Sequence, residues 1–322
     1  MSPARPAPAD LPRRALLAAA AGGAVLAATG CGVRLEDAVS LPFVPSPGLS
    51  PEDLEVGVLR ADAAELAEFA STAATAAATA SSRRVAGHLA AVHAAQVARL
   101  TQVLSPRAAA ASPSPSPSPS PSPSPSPSPS PSPSAAEDLI TRERASIPPL
   151  RSRTGTTPQR RPLMASLCAQ RHAAVLLLGS TVPDAEPGSA LVPGELLEPM
   201  HALYAAHYRL GILGAAARDE QRAQVTRTLT WVTGQIDQWR AEAQVEPALG
   251  YPMAAPGSSK DAVARAAQGM LTELLEAWGR ALPAVSARDP RSAAGRLSPM
   301  LGAIEAHRYG WGAPLLPFPG LS

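Results

Sequence analysis

Aromatic side chains make up 3% of this chain and charged ones 17%, and the formal net charge is only +2. Lys and Arg are scattered, without a basic stripe or interleaved aromatics, so nucleic-acid binding has no electrostatic support. Only two cysteines occur, Cys31 and Cys168. No Gly-x-Gly-x-x-Gly, Walker loop, His-Glu-x-x-His, Cys-x-x-Cys or Gly-x-Ser-x-Gly is present, so the common nucleotide, zinc-protease, dithiol and serine-hydrolase signatures are missing. No alternating strand pattern of useful length appears either. Abundant instead are Ala and Pro. Ala with Leu and Val at helical spacing predicts helices, because Ala loses no side-chain entropy on entering one.

The first residues predict export. Arg13-Arg14 precede an apolar run from Ala15 to Gly30, which is 16 residues long. A membrane span needs about 20 residues. A basic start, a short apolar core and small residues before a cut read as a signal peptide over 1–30. Leu26-Ala27-Ala28-Thr29-Gly30-Cys31 resembles a lipobox, in which the cysteine is acylated and becomes the first residue of the mature chain. Arg13-Arg14 with Leu16-Leu17 resembles a twin-arginine signal, with Pro12 where Ser or Thr is usual. These features predict an extracytoplasmic lipoprotein held to the cell membrane through Cys31. Cys168 then has no intrachain partner. It lies in an apolar helical pattern and reads as a small buried hydrophobe.

Residues 31–50 read as a tether, since Leu41-Pro42-Phe43-Val44-Pro45-Ser46-Pro47 is biased to extended backbone. A helical hairpin is expected over 51–106. Ser50 caps its first helix, Pro51 opens it, and the helix runs to about Ala80. The second spans Arg83 to about Leu104, with a stripe of Leu89, Val92, Gln96, Leu100 and Val103. The low-complexity linker 107–136 holds Ser and Pro in alternation from Ser112 to Ser134. Its eleven prolines remove donors and fix φ, so polyproline II or disorder is expected. Helix returns weakly over Glu137–Ala145, breaks at Pro148-Pro149, and is strong from Pro158 to about Gly179, completing a helical segment over 137–182.

Residues 190–322 carry the clearest pattern. Four helices are expected: Glu195 to Ala216, Asp219 to about Gln244, Ser259 to before Pro283, and Asp289-Pro290 to about Trp311. Their stripes are Leu196, Met200, Leu203, His207, Leu210, Gly214; Val225, Leu229, Val232, Ile236, Trp239; Ala267, Leu271, Leu274, Trp278; and Leu297, Met300, Ile304, His307, Trp311. Spacings of three and four make a bundle seam. The fold class is therefore all-α, with a C-terminal four-helix bundle after a helical N-terminal region that the Ser-Pro tract interrupts.

Tyr208-Arg209-Leu210-Gly211-Ile212-Leu213-Gly214-Ala215 and the closing Trp311-Gly312-Ala313-Pro314-Leu315-Leu316-Pro317-Phe318-Pro319-Gly320 resemble the ferritin-like domain of unknown function found in actinobacterial proteins. The opening Cys31-Gly32-Val33-Arg34-Leu35-Glu36-Asp37 is similar to lipoproteins that carry it. The resemblance implies a ferritin-like bundle over roughly 195–320.

A di-iron bundle takes a Glu from two helices and Glu-x-x-His from the other two. Glu198-Pro199-Met200-His201 has that spacing but sits at a helix start. Glu305 and His307 are two apart, about 200° around a helix. The full set is missing, so no cofactor is expected. His207 and His307, both on apolar stripes, remain candidates for a partial metal site with Glu273 or Glu276. The alternative is that each histidine is packed and satisfied by a neighbour such as Tyr204 or Tyr208. His88 and His93 read as surface or helix-packing residues, and His172, after Arg171, sits at a chemistry-neutral spot. The function expected is a non-enzymatic envelope role, structural or binding a protein partner. The alternative is a metal-binding or redox bundle.

Overall fold

The computed structural model describes residues 49–105, 108, 135–153, 157–182, 188–253, 257 and 259–321. The signal peptide, Cys31, most of the tether and the Ser-Pro tract lie outside the described residues. Among the described residues every regular element is helical, as an all-α reading expects. The helices are α1 (Pro51–Ala76), α2 (Ala80–Val103), α3 (Ala135–Ser152), α4 (Arg161–Leu177), α5 (Pro193–Ala216), α6 (Asp219–Ala243) and α7 (Lys260–Arg288). One turn, Pro290–Ser292, and a π-helical stretch, Ala293–Leu297, then lead into α8 (Ser298–Gly310).

Local chemistry explains most of the ends. Ser50 Oγ accepts from the Asp53 amide at 3.0 Å, and Asp289 accepts from that of Arg291 at 3.0 Å. Both satisfy a donor with no partner inside the helix. Gly179, at φ 78°, follows α4, and Ser180 N returns to Val175 O at 3.0 Å. This is a Schellman end, which needs a left-handed residue.

Two expectations are corrected. Helix α3 does not break at Pro148-Pro149 but runs through both to Ser152. Helix α7 likewise passes Pro283 and ends at Arg288. A proline removes one backbone donor and crowds the preceding turn. Here buried side chains hold the turns on either side: Ile147 and Leu150 in α3, Leu282 and Val285 in α7. Burial of such a side chain is worth about 1.5–3 kcal/mol, comparable to what the proline costs.

Helices α1 and α2 form an antiparallel hairpin, and Ser105 after α2 donates to Asp53 at the start of α1. The described residues flanking the Ser-Pro tract sit at opposite ends of this hairpin. Ala108 packs with Val56 and Leu59, Ala135 with Ala70 and Ala73. Helix α3 packs on α1 and α4; α4 packs on α8; α8 packs on α7; and α5 packs on both α6 and α7. The α4–α8 seam depends on Gly302, where a Cβ would stand 2.6 Å from Ala169 O.

Three apolar clusters result. The largest lies among α5, α6, α7 and α8, with Ala165 and Ala169 of α4. The second and third lie among α1 to α4. The chain then closes with a non-helical strap, Trp311 to Leu321. Its Leu315 packs on the third cluster, Leu316 on the first and Phe318 on the second.

Candidate functional site

Four residues were singled out as possible metal ligands, and the structure does not gather them. His207 is exposed. Spacings of three and four fit the α5 stripe equally, and the buried positions prove to be Ala206 and Leu213 rather than His207 and Gly214. His307 is partly buried and stacks on Trp231, with ring centroids 4.5 Å apart. Burial, and then the Arg227 charge, lower its pKa to about 4. Glu273 is exposed and pairs with Arg209, and Glu276 is exposed. Among the described residues no three His, Cys, Asp or Glu side chains converge as a metal site would require. Tyr204 donates to Val245 O at 3.0 Å, not to a histidine. Arg13, Arg14 and Cys31 lie outside the described residues.

The polar centre that does exist lies elsewhere, between the second and third apolar clusters. Four helices each bring polar side chains to one level. On α2, His93 and Gln96 fall between Leu89 and Leu100. On α3, Glu143 falls between Leu139 and Ile147. On α4, Gln170 and Arg171 fall between Leu167 and Ala174. All five polar residues are buried, and Asp62 of α1 reaches them from a half-exposed position.

Arg171 is the hub. Its Nη1 lies 2.6 Å from Gln170 Oε1, 2.9 Å from His93 Nδ1 and 3.1 Å from Gln96 Oε1. Its Nη2 donates to Asp62 Oδ2 at 3.1 Å. A guanidinium can only donate, so His93 Nδ1 accepts and the ring proton sits on Nε2. That proton points at Glu143 Oε1, 2.7 Å away. Glu143 Oε2 and Arg171 Nε face each other at 3.7 Å, and neither has a hydrogen-bond partner among the described residues. Gln96 spends its other end on the strap, where Nε2 donates to Pro317 O at 2.7 Å.

The expectation for His93 as a surface or helix-packing residue is therefore sharpened: it is fully buried and hydrogen-bonded at both ring nitrogens. The signal was present in the sequence. Gln96 interrupts the α2 stripe, and Glu143 sits at the i+4 position between Leu139 and Ile147. A polar residue on an apolar face must find a partner inside the protein, because burying it unpaired costs about 1–3 kcal/mol.

A second arginine–histidine pair joins α3 to α4. Arg151 donates to His172 Nε2 at 2.9 Å. Burial first, and the Arg151 charge second, lower the His172 pKa to about 3. Cys168 is wholly buried, and desolvation pushes its thiol up to about 11. A thiol so protonated is a poor nucleophile at neutral pH.

The buried Glu305 is more fully engaged than Glu143. Glu305 accepts from Arg308 at 2.9 and 3.0 Å and from the Leu316 amide at 2.6 Å. A groove of about 280 Å³ lies between α1 and α3, with Asp62, Arg142 and Ser146 in its wall. Only Asp62 of the network reaches it. Neither family models, nor curated proteins, nor solved structures give any match to this chain.

Proposed function

We propose that this chain is an exported lipoprotein, acylated at Cys31, whose helical region from residue 49 on works at the membrane surface through protein contacts rather than catalysis. The finer fold reading belongs to the same proposal: α5, α6, α7 and α8 make a four-helix bundle of ferritin-like type without its metal ligands. The observation that supports the non-enzymatic part is that both buried glutamates are engaged inside the fold. Glu143 is held by His93 and Arg171, and Glu305 by Arg308 and a backbone amide. Charges so engaged build the fold, and of the ionic network only Asp62 borders a groove. Anchoring rests on Arg13-Arg14, the short apolar run and Thr29-Gly30-Cys31. Among the described residues no helix is long and apolar enough to cross a membrane.

Palmitate labelling in a host with the lipoprotein pathway tests the anchor. Wild-type chain should carry label and sediment with membranes. Cys31→Ala should lose the label, and Arg13→Lys with Arg14→Lys should retain precursor in the cytosol. Label that persists in the Cys31→Ala variant would refute the anchor.

A further inference from the structure

The strap is held the way a groove holds an extended peptide. Its backbone is gripped by side chains from four helices. Gln96 donates to Pro317 O at 2.7 Å, Ser166 to Pro319 O at 2.8 Å and Arg308 to Pro314 O at 2.6 Å. Glu305 accepts from Leu316 N, and Gln268 donates to Trp311 O. Main-chain hydrogen bonds with side-chain pockets between them are the general means of peptide capture, and Pro314 and Pro317 stand at Pro-x-x-Pro spacing. Leu315, Leu316 and Phe318 each enter a different apolar cluster. Gly320, at φ 81°, rests on Gly279 of α7, where a Cβ would stand 2.5 Å from Gly320 O.

The sequence spells this ligand twice. The C-terminus reads Leu316-Pro317-Phe318-Pro319-Gly320-Leu321-Ser322. Leu41-Pro42-Phe43 and Pro47-Gly48-Leu49-Ser50 repeat it in the same order, with Val44-Pro45-Ser46 between them.

We propose that the strap groove is a binding site for Leu-Pro-Phe and Pro-Gly segments offered by a second copy of this chain, with the C-terminal strap as its resident occupant. Exchange of an identical segment keeps every contact, so it costs little beyond association itself. Gly312, exposed and at φ 87°, is the point about which the strap can leave. Anchoring copies on one membrane raises their effective concentration. The inference names a partner for the interaction role proposed above and rests on that role. It does not depend on acylation, which the Cys31 labelling tests separately.

The test uses the chain from Gly32 to Ser322 and a fluorescent peptide of residues 314–322. Leu316→Ala with Phe318→Ala weakens the resident strap. This variant should bind the peptide with Kd near ~10 µM and recover melting temperature, while wild type, with its groove filled, should bind at least ~10-fold more weakly. Adding Gly279→Ala should abolish binding by blocking the groove, and unlabelled peptide of residues 41–50 should compete. No peptide binding by the weakened variant, or equal binding when Gly279→Ala is added, overturns the groove.

Should the weakened variant not fold, the unaltered chain decides. Light scattering at rising concentration should show dimers that excess 314–322 peptide dissolves. Monomers at every concentration, or dimers that ignore the peptide, overturn the second-copy assignment.

Discussion

Helices α1 to α4 and helices α5 to α8 fill their centres differently, although α8 also buries the Glu305–Arg308 pair against the strap. The first set places a guanidinium, a carboxylate, an imidazole and two amides at its middle level. In the second, Trp239 and Trp278 meet with ring centroids 5.1 Å apart, among Leu203, Leu271 and Leu274. An apolar centre is tolerant, since many packings of similar volume are nearly as stable. An ionic centre tolerates little, since each partner must arrive at the right turn of the right helix. Buried ion pairs add little net stability over an apolar replacement, yet losing one partner is costly. The difference teaches that α1 to α4 draw their register from polar pairing, and α5 to α8 from shape.

The largest effect should come from breaking the ionic centre. Arg171→Met leaves Glu143 buried with only His93, and should cost roughly 3–5 kcal/mol in urea unfolding. Adding Glu143→Gln should restore much of it, because the orphaned charge is then gone. A loss under about 1 kcal/mol for Arg171→Met would mean that the two halves do not differ as described.

Next in size is acid sensitivity, which falls on both halves through one histidine each. His172 of α4 has its pKa lowered to about 3, and His307 of α8 to about 4, from the ordinary histidine value of 6.5. The folded pKa is depressed, so the unfolded chain binds more protons between those values. Stability is therefore complete above about pH 6.5 and falls as pH drops, by about 1.4 kcal/mol per pH unit for each histidine. The decline through His307 ends near pH 4, and that through His172 continues to about pH 3. His172→Gln and His307→Gln should each remove its own share of the slope, and a pH series of unfolding curves for these two single variants separates the halves.

The helices of both halves were legible because a 3.6-residue period is a local property. The ionic centre was legible only in pieces. Gln96 stood on a stripe and Arg171 beside His172, but nothing local says that α2, α3 and α4 bring them to one level. His207 was misplaced because positions 206 and 207 satisfy the same spacing, and only the packing of α5 on α6 and α7 chooses between them. The prolines of α3 and α7 misled for the opposite reason. Their local rule is sound, and burial of Ile147, Leu150, Leu282 and Val285 outweighs it.

The seam between the halves offers a smaller effect. A Cβ at position 302 would stand 2.6 Å from both Ala169 O and His172 Cβ, so Gly302→Ala must push α8 off α4. Overpacking of this kind costs about 1–3 kcal/mol. The seam joins an ionic interior to an apolar one, so separating it should make unfolding lose cooperativity, with α5 to α8 melting apart from α1 to α4. Hydrogen exchange resolved by helix would show it. Uniform protection loss across all eight helices would instead mean that the halves fold as one unit.

The smallest effect should belong to the residue that the sequence made most prominent. His207 is exposed on α5, so His207→Ala should shift stability by less than about 0.5 kcal/mol. His93 is buried between Glu143 and Arg171, and His93→Ala should cost several times as much by leaving both charges short of a partner. Elemental analysis of the same two variants sharpens the contrast. If purified wild-type chain carries no stoichiometric metal, the two histidines differ only in what they do for the fold. Metal that is present and vanishes with His207→Ala would place a metal site in the α5–α8 half, and the comparison between an apolar core and a structural ionic one would have to be redrawn.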